Sequence, residues 1–113
     1  MTLPHPLPPP VVELIARRFR VMSEPMRIRL LDRLRDGEAS VSDLTDALGT
    51  SQQNVSKHLG VLHEAGIVSR RKHGTQTYYA IADEGVLDLC EHVCGGLQQQ
   101  FTELAELVGG TLR

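Results

Sequence analysis

Residues 50–66, TSQQNVSKHLGVLHEAG, decide the fold of this chain. Thr50 and Gln53 have the spacing of a capping box, in which a hydroxyl and an amide three residues later satisfy each other's backbone N–H groups. Apolar Val55, Leu59 and Leu62 then recur at helical spacing, and Gly66 marks the end. The pattern predicts an amphipathic helix. Its exposed side is expected to carry Gln52, Gln53, Asn54, Ser56, Lys57 and His58.

A shorter helix is predicted immediately before this segment. Ser40 is a good N-cap with Asp43 three residues later, and Gly49 ends the element. Val41, Leu44 and Leu48 fall on one side of it. Two helices joined by so short a turn predict a helix-turn-helix, in which residues 50–66 form the second helix.

A β-hairpin is predicted directly after the second helix. Residues 67–72 and 77–82 have strand character, and they flank His73-Gly74-Thr75-Gln76, where the glycine permits a tight reversal. This hairpin is the expected wing, and it carries a cluster of basic residues. The cluster consists of Arg70, Arg71, Lys72 and His73.

The N-terminal region predicts an arm and two helices. Residues 1–10 hold five of the six prolines and are expected to form a flexible, extended arm. A helix from about Val11 to Met22 should follow, then a second that Ser23 caps and Pro25 begins. Val12, Ile15 and Phe19 are expected on the apolar face of the first, and Ile28, Leu31 and Leu34 on that of the second.

The C-terminal region predicts one long helix, from Asp83 to about Val108. Apolar residues recur there at alternating intervals of three and four, which is typical of a coiled-coil seam. Gly95 and Gly96 would allow a second helix to approach closely. The expected dimer seam contains Leu87, Cys90, Cys94, Leu97, Phe101 and Leu104.

Length and composition bound these expectations. With 113 residues the chain fits one domain, placed at 11–109 with a short tail at 110–113, and the 4% aromatic content favours helices. No apolar stretch approaches the roughly 20 residues that cross a bilayer, and the first residues do not show the charged region followed by an apolar region that is typical of a secretion signal. Two cysteines four positions apart do not form a disulfide framework. A cytoplasmic protein without a membrane partner is expected.

Charge is distributed unevenly along the chain. The net charge is −2, but residues 1–82 hold 11 of the 12 Lys and Arg against 8 of the 14 acidic residues. An excess of basic residues in this part of the chain suits a nucleic-acid partner, although the net charge of the whole chain does not by itself indicate one.

The predicted second helix and the wing together suggest double-stranded DNA as the partner. Amides near a helix N-terminus can pair with base edges, and basic residues on a hairpin can contact phosphates. The candidate contacts are Ser51, Gln52, Gln53, Asn54, Ser56, Lys57, His58, Arg70, Arg71, Lys72 and Thr75. Two alternatives remain open: the polar helix face is only solvated, or the winged helix binds proteins rather than DNA.

Residues 51–59, SQQNVSKHL, and the segment from Leu62 through Ala65-Gly66-Ile67-Val68 to Tyr78-Tyr79 resemble the ArsR-type repressors. Pro25-Met26-Arg27 is also similar to that family, so the resemblance extends over most of residues 12–108. It implies a dimeric winged-helix repressor with the order α1-α2-α3-α4-β-β-α5. It also implies a dimer through the first and last helices, a roughly palindromic operator, and release by a metal, metalloid or oxidant.

The sensory sites of the family are not evident in this sequence. Where arsenic and cadmium sensors carry a thiolate pair, this chain has Ser40 and Ser42, and hydroxyls are poor ligands for soft metals. Of the positions that zinc sensors use, only Asp83 is retained; the others are Gly85, Gly96 and Gln99.

Cys90 and Cys94 are the remaining candidates for a sensor, because residues at i and i+4 share one face of a helix. They can bind a thiophilic metal or metalloid or undergo oxidation. Packing in the seam is the competing interpretation, since cysteine is often buried. His5, His63 and His73 are interpreted as surface or packing residues. No catalytic constellation can be assembled, so an enzyme is not expected.

Overall fold

The computed structural model describes residues 2–109. The expected tail at 110–113 lies outside the described residues. The chain divides between Ala82 and Asp83 into two compact units. The first contains α1 (Pro9–Met22), α2 (Pro25–Leu34), β1 (Ala39–Ser40), α3 (Val41–Leu48), α4 (Gln52–Glu64), β2 (Val68–His73) and β3 (Gln76–Ile81), and the second contains α5 (Gly85–Leu107).

Helix α1 begins two residues earlier than the sequence predicts. Pro9 and Pro10 are helical, so the expectation that the whole proline run stays extended is wrong. Proline fits the first turn because the first N–H groups of a helix have no intrahelical partner. The carbonyl of Pro8 accepts the first helical bonds, from the backbone N–H groups of Val11 and Val12.

The start of α2 also differs from the prediction. Ser23 does not cap it; the hydroxyl of Ser23 instead donates to the carbonyl of Arg20 at the end of α1, at 2.8 Å. Glu24 holds the N-cap position without a side-chain bond. Ile28, expected to be buried, is 43% exposed, and the buried residues of α2 are Leu30, Leu31 and Leu34.

Helix α3 has the caps that the sequence predicts. The hydroxyl of Ser40 accepts from the backbone N–H of Asp43 at 3.0 Å, and the Asp43 carboxylate accepts from the N–H of Ser40 at 3.2 Å. Gly49 closes the helix with a φ of +63°, in the left-handed region that glycine adopts without strain.

The sheet has three strands rather than the predicted two. Strand β1 was missed; it pairs antiparallel with β3, placing Ala39 opposite Tyr79, and the strand order is β1-β3-β2. The hairpin turn is two residues long, and its first residue, Gly74, has a φ of +64°.

The core of the first unit lies between α2, α3, α4 and the sheet. It is aliphatic apart from one tyrosine, as the low aromatic content predicts. The residues that are almost completely buried are Leu30, Leu31, Leu44, Val55, Leu59, Leu62 and Ile67. Since Val55, Leu59 and Leu62 hold the inner face of α4, the opposite face of that helix is presented to solvent.

Helix α5 is 23 residues long and carries an exposed apolar row. Within the predicted seam, Leu97, Phe101 and Leu104 are 46%, 55% and 48% exposed, whereas Leu87 is half-buried. A search of residues 2–109 finds no helix with the length and apolar character needed to span a membrane.

Candidate nucleic-acid interface

The N-terminus of α4 is capped by Ser51, not by Thr50 as the sequence predicts. The hydroxyl of Ser51 accepts from the backbone N–H of Asn54 at 3.1 Å. The Asn54 side chain donates to the hydroxyl of Thr50, also at 3.1 Å, and is half-buried. The side-chain NH2 group of Asn54 therefore helps to hold the turn between α3 and α4.

Four of the candidate contacts form two adjacent rows on the outer face of α4. Gln52 and Ser56 lie one turn apart, and so do Gln53 and Lys57. All four side chains are exposed. Amide, hydroxyl and ammonium groups thus occupy the first two turns of the helix, where base edges and phosphates are contacted by helices of this kind.

His58 is not on the exposed side, so that prediction is wrong. Its side chain is only 6% exposed, and its Nδ1 lies 3.2 Å from Nη1 of Arg27. Burial, followed by the Arg27 charge, lowers the pKa of His58 from its ordinary value of 6.5. The sequence contained the signal, because position 58 lies three residues after Val55 and four before Leu62, which is the spacing of the buried stripe.

The wing places three basic side chains beside α4: Arg70, Arg71 and Lys72. Arg70 and Lys72 lie on one face of β2, since side chains alternate along a strand. Arg70 lines a depression of about 390 Å³ with Gln52 and Ser56, and a second with Lys57. Lys72 also lines the first. Within the part of the chain that the structure describes, neither Arg70 nor Lys72 has a salt-bridge partner.

Arg71 also lines the first depression, but unlike Arg70 it has a carboxylate partner. Its Nε and Nη2 donate to the two carboxylate oxygens of Glu38, both at 2.7 Å, and its guanidinium lies 4.9 Å from the ring centroid of Tyr78. The ion pair lowers the pKa of Glu38 and raises that of Arg71. Sequence reasoning missed Glu38, because 33 residues separate it from Arg71.

The remaining wing candidate, Thr75, is exposed at the second position of the hairpin turn. His73, at the end of β2, is exposed as well. These two side chains form the tip of the wing.

The two cysteines are on α5, away from the residues above in sequence. Cys94 is exposed, and Cys90 is half-buried, which raises the pKa of its thiol. Among residues 2–109 no group of three or more His, Cys, Asp or Glu side chains is placed to hold a metal ion. A single chain therefore offers the two thiols without a third such ligand beside them.

Comparison with known proteins connects this geometry to regulators of transcription. A family model described as a helix-turn-helix domain matches residues 22–71. The HTH-type transcriptional repressor SmtB of Mycobacterium tuberculosis is 34% identical over 95 residues, which cover 80% of this chain and 70% of that protein.

Solved structures agree with the architecture. The crystal structure of M. tuberculosis Rv0081 has a TM-score of 0.77 and 30% identity, and the match covers 87% of this chain and 99% of the other. A solution structure from Mycobacterium bovis has a TM-score of 0.73 and 28% identity, covering 88% and 92%. That domain is described as a homodimeric winged helix-turn-helix DNA-binding domain and a possible ArsR-family transcriptional regulator.

Proposed function

Because the chain belongs to the ArsR/SmtB family of winged helix-turn-helix transcriptional regulators, we propose that it is a cytoplasmic repressor that binds an operator in double-stranded DNA as a homodimer. An inducer releases the repressor from the operator. The observation that carries the proposal is the surface shared by α4 and the wing. There the exposed polar rows of α4 adjoin Arg70 and Lys72, which have no salt-bridge partner among residues 2–109.

The residues of this surface divide into two roles. Gln52 and Gln53 provide amides that pair with base edges in the major groove, and Asn54 adds its side-chain carbonyl oxygen. Ser51, Ser56 and Lys57 contact phosphates and fix the register. Arg70, Lys72 and Thr75 of the wing contact the backbone beside that groove, and Arg71 acts through its pair with Glu38.

Two binding measurements test these roles. A duplex selected in vitro with the protein is compared with a scrambled duplex of equal composition by fluorescence anisotropy. Gln53→Ala should weaken binding to the selected duplex by roughly 5- to 100-fold, corresponding to 1–3 kcal/mol, and leave the scrambled duplex unaffected. Arg70→Ala should weaken both and flatten the salt dependence. A protein that binds neither duplex at low salt would instead be a protein-interaction module.

The homodimer is proposed to form through α1 and α5. Both helices carry large exposed apolar side chains: Val12, Leu14 and Phe19 on α1, and Val93, Leu97, Phe101 and Leu104 on α5. Rows of apolar side chains left in solvent on a helix mark association surfaces. A two-fold dimer places two α4 helices about one turn of DNA apart, which predicts a roughly palindromic operator.

A second candidate function is a thiol-based sensor for a thiophilic metal, a metalloid or an oxidant. The spacing of Cys90 and Cys94 on one face of α5 favours it, because two thiols one helical turn apart can be presented together to a soft metal. A Cys90→Ser, Cys94→Ser double variant should bind the operator normally but resist release by As(III), Cu(I) or peroxide. Normal release of this variant would assign both cysteines to packing.

A further inference from the structure

We infer that His58 is a positioning residue for DNA binding, and that its neutral imidazole holds α4 in place through Arg27 until protonation of the ring releases it. The inference rests on the proposed function, because its consequence is a change in DNA affinity. It concerns the inner face of α4, which does not contact DNA itself.

Arg27 connects three helices of the first unit. Its Nε donates to the carbonyl of Val21 in the last turn of α1 at 2.7 Å, while its Nη1 lies 3.2 Å from the imidazole of His58 on α4. Arg27 itself belongs to α2. One side chain therefore ties α4 to both preceding helices.

The bond to His58 requires one protonation state. A guanidinium only donates, so Nδ1 of His58 must accept, and the ring must be neutral with its proton on Nε2. A protonated imidazole has an N–H on both nitrogens and would turn one of them toward the Arg27 cation. Since the ring is buried, water cannot replace the lost partner without movement of the ring or of α4.

The charges around His58 favour the neutral ring. Arg27 from α2 and Lys57 from α4 itself oppose a positive charge there, whereas Glu24, at the start of α2, favours it. Burial has the largest effect, and the result is a lowered pKa. The neutral ring therefore contributes its full stabilisation of the folded state at pH values above 6.5, the ordinary pKa of histidine. This contribution is lost as the pH falls through the lowered pKa of His58 in the folded protein.

The hydrogen bond matters for DNA binding because it is directional. The other inner-face residues of α4, Val55, Leu59 and Leu62, are apolar, and the hydrophobic effect that buries them is non-directional. The bond from Arg27 therefore adds a directional constraint on the rotation of α4. A rotation of α4 about its axis would turn Gln53 and Lys57 away from their targets. His58 thus acts on affinity through the outer face that it orients.

The test compares the pH dependence of DNA binding in matched variants. His58→Asn keeps a carbonyl oxygen near the position of Nδ1 but does not titrate, and His92→Asn, at an exposed histidine of α5, is the control. Kd for the selected duplex is measured at constant ionic strength from pH 8 down to the lowest pH at which circular dichroism shows a folded protein. Below the pKa of His58, Kd of the wild type and of His92→Asn should rise by up to about tenfold per pH unit for each protomer. His58→Asn should lack this rise.

A third variant separates positioning from packing. His58→Phe keeps a buried ring without an acceptor, so its Kd for the selected duplex should already be raised at pH 8, where His58→Asn binds like the wild type. Equal pH profiles for the wild type and His58→Asn would overturn the inference and leave the proposed function intact.

NMR of the wild-type protein provides a test that needs no variant and no DNA. The imidazole nitrogens of His58 should show the Nε2–H tautomer at pH 7.5 and a pKa below the ordinary value of 6.5. A His58 that is protonated on Nδ1 at pH 7.5 would overturn the inference. A protein that shows the expected tautomer but binds no duplex would contradict the proposed function instead.

Discussion

Removing the charge of Glu38 should strengthen DNA binding and make it more dependent on salt. In the structure both oxygens of Glu38 accept from Arg71, so the wing carries one cation whose charge is already balanced. Glu38→Gln keeps the size of the side chain but removes that balance. Arg71 is then available to a phosphate in the same way as Arg70.

The size of the effect follows from counterion release. Each neutralised phosphate contributes about 0.9 to the slope of log K against log salt, so one new contact in each of two protomers adds about 1.8. Between 50 and 200 mM salt, that added slope corresponds to roughly a tenfold greater loss of affinity. At 50 mM salt the variant should bind the selected and the scrambled duplex more tightly than the wild type, because phosphate contacts carry no sequence information.

Salt titrations by fluorescence anisotropy measure both slopes. Glu13→Gln, the same substitution at an exposed acid on α1, is the control for a general change in net charge. Arg71→Ala should lower the slope less than Arg70→Ala does. The reasoning is refuted if Glu38→Gln leaves the slope unchanged while Arg71→Ala and Arg70→Ala lower it equally, since Arg71 would then contact phosphate despite its ion pair.

Three further predictions concern the capping of α4 and the dimer. Ser51→Ala removes the N-cap bond to Asn54 and should lower the free energy of unfolding by about 1 kcal/mol in urea denaturation, and Ser51→Asp should restore it. Gly95→Ala introduces a Cβ that meets nothing within 4 Å in the single chain, so helix propensity alone predicts a gain of about 1 kcal/mol. If α5 pairs closely with a second copy, the added Cβ should nevertheless weaken the dimer, which sedimentation equilibrium measures as a higher dissociation constant. An unchanged dissociation constant would show that Gly95 is not at the close contact between the helices. Phe101→Glu should yield a folded monomer that has lost affinity for a two-site operator, with circular dichroism as the check on folding; a variant that remains dimeric would exclude this position from the interface.

The sequence predicts the elements whose signals are local. The box of Ser40 and Asp43 and the turn glycines Gly49 and Gly74 each depend on neighbours within a few residues, and each is found where the pattern predicts it. The prediction errs by a residue where two neighbouring residues could make the same local contact. Thr50 and Ser51 are both capable caps of α4, and only the backbone path selects Ser51.

The features that sequence reasoning missed depend on distant contacts. Strand β1 has two residues and exists because β3, nearly 40 residues later, pairs with it. The ion pair of Glu38 and Arg71 forms because the same sheet brings distant segments together. Glu38 directly precedes β1, while Arg71 lies on β2. His58 is a different case, because its spacing indicates burial whereas its polarity suggests exposure. The residue that satisfies its buried imidazole, Arg27, is 31 residues away in the sequence.

The contacts of Arg27 also bear on how a signal could reach α4. The carbonyl of Val21 belongs to α1, one of the two helices proposed to form the dimer, and the same guanidinium holds His58. A change in the last turn of α1 would therefore alter the geometry of both bonds, because the rigid guanidinium plane fixes the relative directions of its N–H groups. An inducer that repacks the dimer helices need not touch α4 to displace it. We expect movement of Val21 against Arg27 to disturb the bond to His58, through which we infer that the outer face of α4 is oriented.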